Sequence, residues 1–108
     1  MSTKPVIPRA AAVADVDAII EHYLDEAGPG VALRFVDALE ATFERVARHP
    51  ASGSSRYGHE LALPGLRHVP VAGFPQLVFY VELAEHVDVW RVLHGARDIP
   101  AWLSEGNG

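Results

Sequence analysis

The sequence has 108 residues, enough for one domain, and we expect residues 1–108 to form a single folded unit. Its 49% hydrophobic and 21% charged residues are typical of a globular protein rather than a disordered one. The absence of cysteine excludes disulfides and thiolate metal sites, which predicts a reducing, cytoplasmic location. The net charge of -5 argues against direct nucleic-acid binding, and no apolar stretch is long enough to cross a membrane.

The first elements along the chain are a short strand and a helix. The segment Lys4–Arg9 places two apolar residues between prolines, which a strand tolerates only at a sheet edge or at its start. From Val16 to Ala27, apolar side chains recur at intervals of three and four residues, which predicts an amphipathic helix. Asp15 is expected as its N-cap or in its first turn, and Gly28 is expected to end it.

A second helix and a long connection follow. Pro29 suits the first position of a helix, and an apolar stripe continues to Val46 before His49 and Pro50 end it. The two helices are therefore expected to lie antiparallel. Residues 50–65 are rich in turn-forming residues and show neither the helical nor the strand period, which predicts a loop.

The last part of the chain predicts strands. Residues of high β-propensity fill Leu66–Val71, Gln76–Leu83 and Val87–Leu93, and the last two runs are close enough to form a hairpin. Asp98–Leu103 predicts a capped helical turn, and Ser104–Gly108 a disordered tail.

The period of the last strand and the order of the elements predict the fold class. Strict alternation puts Val87, Val89, Arg91 and Leu93 on one face and Asp88, Trp90, Val92 and His94 on the other. Both faces are then partly apolar, and we expect helices on one face and partial exposure of the other. The predicted fold is α+β: an N-terminal strand, a two-helix antiparallel hairpin packed on a small, mainly antiparallel sheet, and a short C-terminal helical turn.

Motifs for catalysis, metal binding and cofactor binding are not found. The six histidines include no closely spaced pair that would point to zinc ligation. The serines of the loop lack a nucleophile-elbow motif, and the glycines form no phosphate-binding motif. We therefore expect no metal, no cofactor and no catalytic residue.

Arginine and aromatic residues in the second half are the candidates for partner binding. These residue types are enriched at interface hot spots because they bring a large contact area for little lost conformational freedom. Trp90 is interpreted mainly as a core residue, and Arg67 and Arg97 as the exposed contacts. The full candidate set is Arg56, Arg67, Tyr80, Trp90, Arg91, Arg97 and Trp102.

Three segments together resemble the C-terminal signature of ParE-type toxins in the RelE/ParE superfamily, often called plasmid stabilisation proteins. They are Gly65–Val71, Phe74–Glu82 and Val87–Ile99, and the most specific part is Val-Leu-His followed by Arg-Asp within the last segment. The two predicted helices, the second ending in Arg-His-Pro, are also similar to that family. The resemblance implies the same α+β fold and the toxin component of a bacterial type II toxin–antitoxin system. It further implies inhibition of DNA gyrase by protein binding, and a hetero-oligomer with a ParD-like antitoxin.

Two alternatives remain open. RelE-like relatives cut mRNA on the ribosome with a cluster of lysine and arginine, with Arg67, Arg91 or His94 as participants here. Lys4 is the only lysine in the chain, and residues 51–108 contain four arginines against six acidic residues, which disfavours that chemistry. The chain also has Ala72 and Gly73 where many ParE-like sequences carry basic residues, and Gln76 replaces a common aromatic residue. It is therefore alternatively an antitoxin-binding module without toxicity.

Overall fold

The computed structural model describes residues 3–104. In chain order the elements are β1 (Val6–Pro8), α1 (Ala10–Ala27), α2 (Pro29–Arg48), a 3₁₀ turn (Pro50–Ser52), α3 (Arg56–Glu60), β2 (Leu66–Pro70), β3 (Gln76–Glu82), β4 (Val87–His94) and α4 (Ile99–Ser104). The strands form one sheet in the order β1-β4-β3-β2, with β1 parallel to β4 and the other pairs antiparallel. The predicted α+β architecture is confirmed.

The start of α1 differs from the prediction. The helix begins at Ala10, after an extended Arg9, so Asp15 lies inside the helix and the prediction of a cap or first-turn residue was wrong. Residues 10–14 are four alanines and one valine, which favour a helix without producing a long apolar stripe. The Asp15 carboxylate bonds instead to groups of β4.

The corner between the two long helices is confirmed. Gly28 has a φ of 90°, which favours glycine, and its N–H donates to the Tyr23 carbonyl at 2.9 Å. Pro29 occupies the first turn of α2, where its missing N–H has no cost. The two helices therefore reverse direction within two residues, and both pack on the same face of the sheet.

The main core lies between the helical hairpin and the sheet. Phe35 of α2 and Tyr80 of β3 are fully buried in it. Phe35 also belongs to a ring cluster with Tyr23 and Phe74, whose ring centroids lie 5.4 to 5.6 Å apart. This distance is favourable for tilted aromatic pairs, and the cluster ties α1 and α2 to the turn before β3.

A second, smaller core covers the face of the sheet that was predicted to be partly exposed. It contains Leu66, Phe79 and Leu93 of the sheet, together with Ile99 and Leu103 of α4. Tyr57 and Leu61 pack against it from α3 and the residue that follows α3. The prediction of a loop over residues 50–65 was therefore wrong for α3, which is too short to display a helical period.

A β-bulge corrects the predicted alternation in β4. Phe79 pairs with Arg91 and Tyr80 with Val89, so Trp90 is an extra residue in the ladder. The face assignment therefore changes after Trp90, and Val92 joins Val87 and Val89 in the main core. Ser104, which was expected in the tail, ends α4, and residues 105–108 lie outside the described part of the chain.

The connection between α2 and β2 is held against the sheet. Tyr80 donates its hydroxyl to the Pro50 carbonyl at 2.8 Å and accepts the Gly53 N–H at 3.0 Å. Ser54 exchanges two backbone hydrogen bonds of 2.9 Å with His68 of β2. The segment from Pro50 to Ser54 is therefore an ordered cover over the β2 edge.

Alanine at Gly53 is expected to destabilise the protein, whereas alanine at Gly30 is not. A Cβ at Gly53 would lie 2.3 Å from the Tyr80 hydroxyl and 3.0 Å from the His68 carbonyl oxygen. At Gly30 the nearest atom belongs to the flexible Arg34 guanidinium, 3.7 Å away. We expect urea unfolding to show a loss of about 1–3 kcal/mol for Gly53→Ala and a gain of about 0.5 kcal/mol for Gly30→Ala. Equal midpoints would contradict the close approach of Gly53 to Tyr80.

Acidification is expected to weaken the fold through His68, whose ring lies beside Tyr57 and Phe79. Burial, with a further contribution from Arg56, lowers the pKa of the His68 imidazole below its ordinary value. The unfolded chain therefore binds a proton more readily than the native chain, so stability falls as the pH drops below the ordinary pKa toward the lowered one.

Replacement of this histidine should reduce the acid sensitivity of the protein. In thermal melts between about pH 7 and 5, we expect His68→Phe to show a flatter decline of Tm than the unaltered chain. His59→Phe is the matched control, because His59 is exposed on α3 and should leave the decline unchanged. An unaltered pH dependence in His68→Phe would contradict the assignment.

Candidate functional site

The seven arginine and aromatic candidates lie in separate places on the protein. Arg56 is exposed on α3 and forms an ion pair with Glu60 at 3.5 Å. Arg67 and Tyr80 lie at the connection that covers β2, and Trp90 lies near β1. The structure brings three of the candidates together at the junction of β4 and α4: Arg91, Arg97 and Trp102.

Tyr80 and Arg67 hold the connection in place. The Tyr80 side chain is completely buried, so the prediction of a partner contact is corrected to a structural role. Burial raises the pKa of the Tyr80 phenol, and the neutral hydroxyl donates to the Pro50 carbonyl. Arg67 is half-buried and donates from Nη1 to the Gly53 carbonyl at 2.8 Å.

Trp90 lies in a polar cluster that sequence reasoning missed. Its Nε1–H donates to Asp88 at 3.1 Å, and the Arg9 guanidinium lies 4.7 Å from its ring centre. Arg9 and Asp88 form an ion pair at 2.8 Å. The ring is half-buried and packs at the margin of the second core, which agrees with its interpretation mainly as a core residue.

Arg91 is an interior residue rather than an exposed contact, so its assignment as a partner-binding candidate is corrected. Its Nε and Nη2 donate to the two carboxylate oxygens of Asp15, each at 2.7 Å, and its Nη1 donates to the Trp102 carbonyl at 2.9 Å. The Val92 N–H donates to the same Asp15 carboxylate at 3.0 Å. This network joins α1, β4 and α4 and satisfies the buried charges.

A cleft of about 320 Å³ lies directly beside this network. Helix α1 forms one wall, and the end of β4 with the residues after it forms the other. The lining residues are Asp15, Ala18, Ile19, His22, Gln76, Val92, Leu93, His94, Arg97 and Trp102. The cleft therefore contains two of the predicted candidates, Arg97 and Trp102, on a partly apolar surface.

The rim of the cleft presents hydrogen-bond donors from Arg97 and His94. Arg97 is exposed, and its guanidinium stacks 4.3 Å from the Trp102 ring centre. His94 accepts the Ala96 N–H on Nδ1 at 3.0 Å, so its proton is placed on Nε2, which can act as a donor. His22 lies on the opposite wall. One arginine and two histidines thus share this opening.

Sequence reasoning missed several residues of the cleft for different reasons. Asp15 was interpreted as a helix cap or first-turn residue because its partner, Arg91, is far away in the sequence and gives no local signal. His22 and His94 were considered mainly as metal ligands, and their separation in sequence argued against that. Gln76, noted as a departure from the family pattern, is buried and exchanges hydrogen bonds with Tyr23. Only the fold brings these residues together.

Within residues 3–104, no group of three or more histidine, aspartate or glutamate side chains is placed to hold a metal ion. No helix in the described part of the chain is long and apolar enough to cross a membrane.

Comparisons with known proteins define the class of the chain. Among the solved structures that match is one described as the chromosomal ParDE TA system from P. aeruginosa, with 22% sequence identity and a TM-score of 0.71. The alignment covers 85% of this chain and 96% of that chain. At this identity the likeness shows a shared fold. No curated protein sequence matches.

The family follows from a direct match of the sequence. Residues 6–99 match the family model described as ParE toxin of type II toxin-antitoxin system, parDE. The match covers most of the 108 residues, including both long helices and all four strands. The chain belongs to the ParE toxin family, and the resemblance noted in the sequence is confirmed.

Loss of the Asp15 carboxylate is expected to destabilise the protein strongly. Asp15→Ala leaves the Arg91 guanidinium buried without its charge partner, and we expect a loss of about 3–5 kcal/mol in urea unfolding. Asp17→Ala is the matched control, because Asp17 is exposed on the same helix and should change stability by less than about 0.5 kcal/mol. Similar losses in both variants would show that the buried ion pair does not hold α1 to the sheet.

Proposed function

We propose that this protein is the toxin of a type II toxin–antitoxin pair, that it inhibits DNA gyrase by binding it, and that a ParD-like antitoxin neutralises it in a hetero-oligomer. The observation that carries the proposal is the match of residues 6–99 to the ParE toxin family. The solved structure with the same fold is described as a ParDE system, which supports an antitoxin partner. Such a pair acts in the cytoplasm, where gyrase is found.

The arrangement of the cations supports binding rather than RNA cleavage. Cleavage at a phosphodiester needs several positive groups around one developing charge. Arg91 is bonded to Asp15, Arg67 donates to a backbone carbonyl, and Arg56 pairs with Glu60. In the cleft as described, Arg97 is the single arginine that faces the opening. One arginine is a weak basis for phosphoryl chemistry.

The exposed apolar side chains support a protein partner. Val13 and Leu24 on α1 are 45% and 48% exposed, and Leu33 on α2 is 64% exposed. Large apolar side chains that remain accessible on a small protein suit an interface that a second protein covers. The cleft between α1 and the sheet is a further place for an amphipathic peptide.

Inhibition of gyrase by the purified protein is the decisive measurement. We expect the chain to reduce negative supercoiling by gyrase and to increase cleaved DNA in the presence of ATP, while relaxation by topoisomerase I is unaffected. In cells, expression without the antitoxin should arrest growth and induce the SOS response. Heat-denatured protein serves as the control for non-specific effects.

Other outcomes distinguish the alternatives. New mRNA breaks at the ribosomal A site, found by primer extension while gyrase remains active, would favour the RelE-like nuclease. Antitoxin binding without growth arrest would favour the non-toxic module. In that case Ala72→Arg is the informative variant, because Ala72 is exposed in the turn before β3. Gly73 should be kept, since its φ of 81° favours glycine.

A further inference from the structure

In the cleft between α1 and the end of β4, two acceptor groups, the Asp15 carboxylate and the Gln76 amide, are already engaged. The two Asp15 oxygens accept three N–H groups from Arg91 and Val92. The Gln76 amide and the Tyr23 hydroxyl bond to each other, at 3.1 and 3.4 Å. A ligand that relies on donating hydrogen bonds therefore finds these oxygens occupied.

The donors of the cleft remain available. Among residues 3–104, no carboxylate lies within ion-pair distance of the Arg97 guanidinium, and its stacking on Trp102 holds the group in place without using its N–H donors. The Nε2–H of His94 adds a second donor beside it. The planar guanidinium of Arg97 can bind the two oxygens of a carboxylate with two parallel hydrogen bonds. Because the group is already stacked on Trp102, it loses less conformational freedom on binding.

Apart from His22 on α1, the rest of the lining is apolar. Ala18 and Ile19 contribute from α1, Val92 and Leu93 from β4, and Trp102 from α4. A volume of about 320 Å³ is at the lower end of the range of ligand pockets and is large enough for one bulky side chain with a neighbouring acidic group. The ligand therefore combines an anion with an apolar group a few ångströms away.

We propose that this cleft binds a linear segment of a protein partner in which an aspartate or glutamate carboxylate lies next to a bulky apolar side chain. Arg97 and His94 bind the carboxylate, and the apolar side chain lies against Ile19, Val92 and Trp102. The proposal rests on the proposed function only in taking the partner to be a protein.

A nucleic-acid strand fits the cleft less well. One face of the Trp102 ring is already stacked with Arg97, which competes with a base for that position. Helix α1, which forms the opposite wall, contains five acidic residues and neither lysine nor arginine. Helix α1 therefore offers no cation to a phosphodiester backbone, which carries a charge at every nucleotide, whereas a single carboxylate needs only the Arg97 position.

Peptide titration tests the proposal with the intact purified chain. The probe is a blocked peptide with the central sequence Leu-Glu-Phe, and its partner peptide has glutamine in place of glutamate. Binding is followed by ¹H–¹⁵N NMR, and we expect shifts of the Trp102 indole N–H and of the Ile19 and Val92 amides. The glutamate peptide should bind at least about tenfold more tightly than the glutamine peptide, as a lost charge-assisted hydrogen bond predicts.

Two arginine variants test whether Arg97 binds the carboxylate of the glutamate peptide. Arg97→Gln should weaken binding of the glutamate peptide by about tenfold and abolish its advantage over the glutamine peptide. Arg34→Gln, at an exposed position on α2 outside the cleft, should leave the affinity unchanged. Thermal melts confirm that both variants fold, which is expected because both side chains are exposed.

Three results would overturn the proposal. They are equal binding of the two peptides, unchanged affinity in Arg97→Gln, and tighter binding of inorganic phosphate or hexa-adenylate RNA than of the glutamate peptide at the same resonances. The gyrase assay remains a separate test. Arg97-dependent peptide binding by a chain that leaves gyrase active supports the cleft and rejects the proposed target.

Discussion

The ion pair between Asp15 and Arg91 is the contact on which the geometry of the cleft depends. The two residues are 76 positions apart, and their side chains are only 13% and 8% exposed. Charges buried to this extent are stable only when their remaining bonding capacity is satisfied, as it is here by the Val92 N–H and the Trp102 carbonyl. One pair thus fixes the positions of α1, β4 and α4 relative to one another, and these three elements form the walls of the cleft.

The same pair determines which charge the cleft presents. Because Asp15 neutralises Arg91, the second guanidinium of this region does not act on a ligand, and Arg97 remains as the cation at the opening. A site with one stacked arginine and an apolar floor is suited to recognition of another molecule. It is poorly suited to stabilising the several negative charges that develop during phosphodiester cleavage. The structural role of Arg91 therefore supports the interpretation of this ParE-family chain as a binding protein.

Local patterns in the sequence predicted most of the fold but little of the site. The helical hairpin follows from apolar periodicity, three of the strands follow from β-propensity, and the corner at Gly28 and Pro29 follows from backbone chemistry. The bulge at Trp90 could not be predicted, because it depends on pairing with β3. The role of Asp15 was missed for the same reason, since a carboxylate near a helix start gives no local sign of a partner 76 residues away. Arg97 and Trp102 were identified only as residue types, without the cleft that joins them.

The two edges of the sheet leave few backbone donors with which an added strand could pair. The outward N–H donors of β2 are engaged: the His68 N–H bonds to the Ser54 carbonyl, and the Leu66 N–H bonds to the Leu63 carbonyl. Pro70 at the end of the strand has no N–H to offer. Tyr80 holds the covering segment in place by bonding to Pro50 and Gly53. At the opposite edge, β1 is only three residues long and ends in proline. An added strand finds few free donors at either edge, so a partner must depend largely on contacts with side chains.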